Sequence, residues 1–164
     1  MAKNEIGDWF QSLIWKQLQL DQSRTKPTPM VHQFVDSKAA RGFVSAQPSD
    51  FLITYELGTV YLEVKASEKH SNMPLSMIRD QQIAHAALIG GCRDSLSALL
   101  NPYQFLFFSE PDNTVTFWAG SEVVEAKAGK RKLSPGRGKS LTMEWPEFEQ
   151  ELKANGLVYL LNWG

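Results

Sequence analysis

The segment Pro48-Ser49-Asp50-Phe51-Leu52-Ile53, followed thirteen residues after Asp50 by Glu63-Val64-Lys65, constrains this chain more than any other. β-Rich residues flank Tyr55-Glu56-Leu57-Gly58-Thr59 on both sides, which predicts two strands joined by a tight hairpin. A turn at Glu56-Leu57 pairs Tyr55 with Gly58, and hence Asp50 with Glu63. A turn one place later, at Leu57-Gly58, pairs Asp50 with Lys65 instead. Both registers put Asp50, Glu63 and Lys65 on one face, because side chains alternate along a strand. The other face carries Phe51, Ile53, Val60, Leu62 and Val64, a continuous apolar surface for a core. Directly opposed Cβ atoms stand about 5 Å apart, a gap one cation can bridge. Two carboxylates on an apolar hairpin repel each other unless a cation or deep water relieves them. An acid, then acid-x-lysine on the next strand, is the layout of a Mg²⁺-dependent phosphodiesterase site. The competing reading makes Glu63 and Lys65 the solvated face of an edge strand.

Bulk properties limit the remaining choices. A chain of 164 residues with 43% hydrophobic and 21% charged residues is expected to form one globular domain with its own core. No apolar run approaches a membrane span, and Met-Ala-Lys-Asn-Glu lacks the apolar core of a signal peptide, so a cytoplasmic chain without a membrane partner is expected. The lone Cys92 excludes an intramolecular disulfide and a cysteine-based zinc site. A net charge of −1 argues against a protein that coats nucleic acid by bulk positive charge. It leaves room for a nuclease with clustered cations. Lys127, Lys130, Arg131, Lys132, Arg137 and Lys139 do cluster within thirteen positions, among glycines and one proline. They read either as a solvated loop or as a flexible arm gripping phosphates.

Along the chain, Ile6, Phe10, Leu13 and Ile14 follow the spacing of a buried helical stripe from about Asn4 to Leu20. Thr25-Lys26-Pro27-Thr28-Pro29 ends that helix. Met30 to Val35 reads as a strand, Asp36 to Gln47 as irregular, and Ser76 to Ile89 as a helix stopped by Gly90-Gly91. Cys92 to Leu100 is read as a short additional helix. Tyr103 to Phe108 is an unbroken apolar run, the signature of a central strand covered on both faces. Pro111-Asp112-Asn113 turns it into a partner strand, Thr114 to Trp118. Trp145-Pro146-Glu147-Phe148 opens a terminal helix through Lys153, and Val158 to Leu161 is read as a last short strand. The expected fold class is α/β, a mixed central sheet flanked by helices.

In order and spacing, these pieces resemble the PD-(D/E)xK nucleases, and more closely the RecU-type Holliday junction resolvases. The resemblance runs from the first helix to about Trp145. It is carried by Lys26-Pro27-Thr28-Pro29, Pro48-Ser49-Asp50, Tyr61-Leu62-Glu63-Val64-Lys65, Met73-Pro74-Leu75, Gln82-Ile83-Ala84-His85 and Gly138-Lys139-Ser140-Leu141. It implies a restriction-endonuclease-like core and cleavage of four-way DNA junctions by a homodimer, since a C₂ pair supplies two symmetric cuts. A restriction- or repair-type endonuclease of the same superfamily is the alternative, and a non-catalytic DNA-binding protein of that fold is a further one. Asp50 and Glu63 would ligate Mg²⁺, or Mn²⁺ in its place, with the Val64 backbone carbonyl completing an oxygen set. Lys65 would orient or polarise the attacking water, and Gln82 would join the site. The family's stalk corresponds to about Thr25–Pro48, with Lys26, Lys38 and Arg41 as phosphate contacts and Phe43 as a wedge against bases. Lys130, Arg131, Lys132, Arg137 and Lys139 would extend the DNA surface.

This chain departs from the family on the first helix. Where a glutamate is usual, Gly7-Asp8-Trp9-Phe10-Gln11 offers Gln11, which can accept a hydrogen bond but adds no negative charge. That bears on a second metal more than on chemistry at Asp50. Read without the resemblance, Gln82 and His85 are surface positions one helical turn apart, His32 and His70 lack metal-like partners, and the tryptophans are core bulk.

Overall fold

The computed structural model describes residues 5–24, 28–34, 47–56, 58–91 and 101–163. Its elements are α1 (Glu5–Arg24), β1 (Met30–Gln33), β2 (Phe51–Tyr55), β3 (Gly58–Ser67), a 3₁₀ turn (Leu75–Met77), α2 (Asp80–Gly91), β4 (Tyr103–Ser109), β5 (Thr114–Ala119), α3 (Gly120–Ala128), β6 (Ser140–Glu144), α4 (Trp145–Ala154) and α5 (Leu157–Leu160). The strands form one six-stranded sheet in the order β1-β2-β3-β4-β5-β6. Only β3 and β4 run parallel, and α2 lies on the crossover between them, as a parallel pair requires. The mixed sheet flanked by helices matches the expected α/β class. Among the described residues no helix is long and apolar enough to cross a membrane.

Alternation along the strands divides the interior into two layers. Phe51, Ile53, Val60, Leu62 and Val64 pack with Phe10, Ile14 and Leu18 of α1 and with Phe148 and Leu152 of α4. Tyr103, Phe105, Phe107 and Trp118 face the opposite way, onto Ile78, Ala86 of α2 and Val123 and Ala126 of α3. Every residue of β4 is buried, so the unbroken apolar run is indeed a strand covered on both faces. Trp15 stacks on Phe51 at 5.8 Å between ring centroids. Trp9 packs on Phe108 and Trp145 while remaining 46% exposed.

Several elements differ from the sequence expectation. The helix expected from Ser76 begins at Asp80, because Ile78 is extended (φ −106°, ψ 122°) and interrupts the helical path after the 3₁₀ turn. Two elements not foreseen frame the basic segment: α3, whose last turn contains Lys127, and β6, which follows Lys139. Val158 to Leu161 is a helical turn and not a strand. Four apolar residues have no decisive period of their own, and a distant carboxylate sets their conformation. Asp21 of α1, only 2% exposed, accepts the Val158 N–H at 2.9 Å and a bond from the Gln17 amide at 2.8 Å. Burial raises the Asp21 pKa, and the donors from Val158, Gln17 and Leu157 oppose that shift.

Of the segment Thr25–Pro48, Met30–Gln33 is built into the sheet edge as β1, paired with β2. Lys26, Lys38, Arg41 and Phe43 lie outside the described residues, as does the helix expected from Cys92 to Leu100.

The join between α4 and α5 generates a stability prediction. Gly156 holds φ +83°, and a Cβ there would lie 2.6 Å from Asp21 Oδ1. Gly156→Ala therefore combines left-handed backbone strain with a clash against a buried acceptor. We expect a loss of about 1–3 kcal/mol by urea denaturation; an unchanged midpoint would contradict this account of the corner.

Candidate metal and catalytic site

The hairpin adopts the first of the two registers. Tyr55 pairs with Gly58 and Phe51 with Leu62, which sets Asp50 opposite Glu63. Asp50 is anchored by both its backbone and its side chain. Its carbonyl accepts the Phe34 N–H at 2.9 Å, extending the edge pairing, and its Oδ2 accepts the Val64 N–H at 2.8 Å. The residues before it are equally fixed. The Tyr103 hydroxyl donates to the Pro48 carbonyl, and Ser49 Oγ donates to the Phe51 carbonyl at 2.8 Å. Burial raises the Tyr103 pKa, with the charges of Glu63 and Asp50 adding to the shift, so its hydroxyl stays a donor. At Gly120 a Cβ would come within 2.8 Å of the Tyr103 carbonyl oxygen, so only glycine lets α3 start this close to β4.

Glu63 pairs with Phe105 and Lys65 with Phe107 on β4, which puts both on the α2 side of the sheet. The edge-strand reading is thereby corrected: β3 lies between β2 and β4, and Glu63 is only 5% exposed. Lys65 Nζ is 3.4 Å from Glu63 Oε1. Gln82 of α2 donates from Nε2 to the same oxygen at 2.8 Å. Its own Oε1 accepts the Arg79 backbone N–H at 3.0 Å, as in the capping box that closes a helix N-terminus. That bond fixes the amide orientation, so Gln82 presents its NH₂ to Glu63. Only the resemblance implies a place for Gln82 beside the acids; the surface position read from the residues alone is corrected, since Gln82 is buried and bonded to Glu63. His85, a turn further on, has a buried Nδ1 without a hydrogen-bond partner among the described residues.

Electrostatics mark the pair as unusual. Burial, followed by the Asp50 charge, pushes Glu63 up to about 8, with Lys65 opposing. Burial also raises Asp50, against the Val64 N–H, Lys65, a hydrogen bond from Glu63, and Arg79. Two carboxyl groups in contact, Glu63 buried and Asp50 half-buried, resist joint ionisation while no cation lies between them.

Among the described residues no group of three His, Cys, Asp or Glu side chains is placed to hold a metal ion. The set available is two carboxylates and one carbonyl. A strand residue presents its N–H and C=O to the same side, and the Val64 N–H meets Asp50. The Val64 carbonyl therefore also faces the Asp50 side. An all-oxygen set with excess negative charge fits a hard divalent cation that keeps several waters.

The other expected residues are placed differently. Gln11 is half-buried on α1, whose core residues pack on the opposite sheet face, and no hydrogen bond joins it to Asp50, Glu63 or Lys65. Arg131 is not a free cation. It forks onto Glu122 at 2.7 and 3.0 Å, and Glu122 also accepts the Ser134 N–H at 2.8 Å. The Arg131 bonds lower the pKa of Glu122, with Ser134 and Lys139 adding to them. Lys139 Nζ stands 4.0 Å from the same carboxylate. Lys130, Lys132 and Arg137 are exposed and form no ion pair among the described residues.

No protein-family model matches the chain, and no curated protein matches it either.

The raised pKa of Glu63 makes stability pH-dependent in a definite direction. A folded pKa above the ordinary value of 4.5 gives a contribution fully present below that pH and lost as pH rises through about 8. Glu63→Gln keeps the acceptor for Lys65 and Gln82 but cannot ionise. Without added metal, its Tm relative to the parent should climb by several degrees between pH 5 and pH 8.5, at roughly 2–4 °C per kcal/mol. A pH-independent difference would contradict the raised pKa of Glu63.

Proposed function

We propose that this chain is a divalent-metal-dependent endonuclease with a restriction-endonuclease-like core, acting on branched DNA as the RecU-type resolvases do. The observation that carries the reading is the convergence of Asp50, Glu63 and Lys65 on one sheet face, with Gln82 bonded to Glu63 from α2. Placing two acids together with one of them buried is destabilising unless a cation answers them, and apolar residues of similar size would be more stabilising. Enclosed acids whose ionisation is opposed by burial and by a neighbouring acid cluster at sites of proton and metal chemistry.

Asp50, Glu63 and the Val64 carbonyl would hold the ion. Bound Mg²⁺ or Mn²⁺ would offset the charge that grows on a phosphate under attack and lower the pKa of a water beside it. Asp50 is fixed for that role by the Val64 and Phe34 N–H groups, and Glu63 by Gln82. Lys65, already 3.4 Å from Glu63, supplies the cation that orients the water and holds its hydrogen-bonding direction. Lys130, Lys132 and Arg137 offer exposed charge for the flanking phosphates. A C₂ homodimer would provide the two sites that resolving a four-way junction needs.

The test is cleavage of a synthetic four-way junction in Mg²⁺, beside linear duplex of the same sequences. We expect paired symmetric cuts in the junction and little cleavage of the duplex. Asp50→Asn and Glu63→Gln should abolish cleavage yet bind the junction in Ca²⁺ as well as the parent or better, because each removes negative charge facing phosphate. Full activity in either variant would sink the site assignment. Equal cleavage of both substrates would favour a restriction- or repair-type activity of the same superfamily.

A further inference from the structure

We infer that Arg79 is a phosphate-binding residue of this site, gripping a non-bridging oxygen of the DNA strand presented to Asp50 and Glu63. The inference rests on the nuclease reading and extends it to a residue outside the acid-x-lysine pattern. Arg79 immediately precedes α2. Its backbone N–H is bonded to Gln82 Oε1 at 3.0 Å, and its carbonyl accepts the N–H groups of Gln82 and Ile83 at 3.0 and 3.1 Å. Gln82 is itself bonded to Glu63 at 2.8 Å. A single side chain thus tethers the Arg79 backbone to the acid pair, while the Arg79 side chain is exposed.

The charges around the site single out this residue. Lys65 and Arg79 both act electrostatically on Asp50. Lys65 is committed to Glu63 at 3.4 Å, and Arg131 is committed to Glu122. The Arg79 guanidinium has no ion pair among the described residues, even with Asp80 as its chain neighbour. A phosphodiester approaching two carboxylates meets repulsion that the ion relieves only in part. An exposed arginine on a hydrogen-bonded backbone answers the rest, because its planar fork matches phosphate oxygens. The plainer reading is a solvated arginine ahead of a helix. It predicts no effect on DNA affinity beyond that of any distant surface charge.

Arg79→Gln and Arg79→Lys should be compared with the parent for binding to the synthetic junction and to linear duplex in Ca²⁺, across a salt series. Cleavage in Mg²⁺ and calorimetric binding of Mn²⁺ complete the comparison. We expect Arg79→Gln to weaken DNA binding about tenfold and to flatten the log–log salt slope by about one unit. Arg79→Lys should restore the slope but only part of the affinity, and Mn²⁺ binding should be unchanged in both. Parent-like affinity and slope in Arg79→Gln would overturn the inference, as would a loss of Mn²⁺ binding, which would make the residue structural. If the parent binds DNA through Arg79 but never cleaves it, the phosphate contact stands and the nuclease reading falls. A parent that binds no DNA overturns both.

Discussion

The bond from the Val64 N–H to Asp50 Oδ2 is the constraint on which the site depends. It closes the β2–β3 ladder at the point where β2 begins, substituting a carboxylate for the backbone carbonyl that a longer strand would offer. The register thereby fixed puts Asp50 opposite Glu63 and leaves Phe51, Ile53, Val60, Leu62 and Val64 facing α1. A slip of one residue would turn that apolar set out of the core and carry the acids into it. The energy that holds the acid pair together therefore comes from the opposite face of the same hairpin.

The Asp50 charge opposes ionisation of Glu63, while a hydrogen bond from Glu63 favours that of Asp50, and the protein meets the pair with donors rather than separating it. Val64, Lys65 and Gln82 satisfy particular oxygens, yet Glu63 is still pushed up to about 8. Contrast Glu122, also out of solvent contact but nearer the surface, whose pKa is lowered by the Arg131 fork, with the Ser134 N–H adding to it. One buried glutamate is fully answered and ties the segment after α3 to the body of the domain. The other is left incompletely answered beside a second acid. That difference separates a structural ion pair from a site with capacity for a cation.

Much of this was legible because it is local. The hairpin, its strand alternation and a buried strand from Tyr103 follow from period and turn chemistry, whereas the choice between the two hairpin registers does not. What escaped depends on contacts between distant residues. The α5 turn is capped by Asp21, 137 residues away in sequence, and nothing in Leu157–Leu160 announces it. The cluster of basic residues drew attention from Val123 and Ala126, whose spacing marks the buried side of α3, and concealed that Arg131 answers Glu122. Arg79 had one available signal, the glutamine three residues after it, which is the capping-box spacing. Gln11 shows the limit of resemblance: the helix is where it was expected, but its packing directs its core residues to the other sheet face.

Anomalous scattering from crystals soaked in Mn²⁺ tests the central claim most directly, because it locates the ion without reference to any substrate. We predict one principal peak about 2.2 Å from carboxylate oxygens of both Asp50 and Glu63, a distance expected for a hard divalent ion between those of Mg²⁺ and Ca²⁺. The peak should disappear in Asp50→Asn. A peak elsewhere, or none at an Mn²⁺ concentration that saturates binding in solution, would contradict the account.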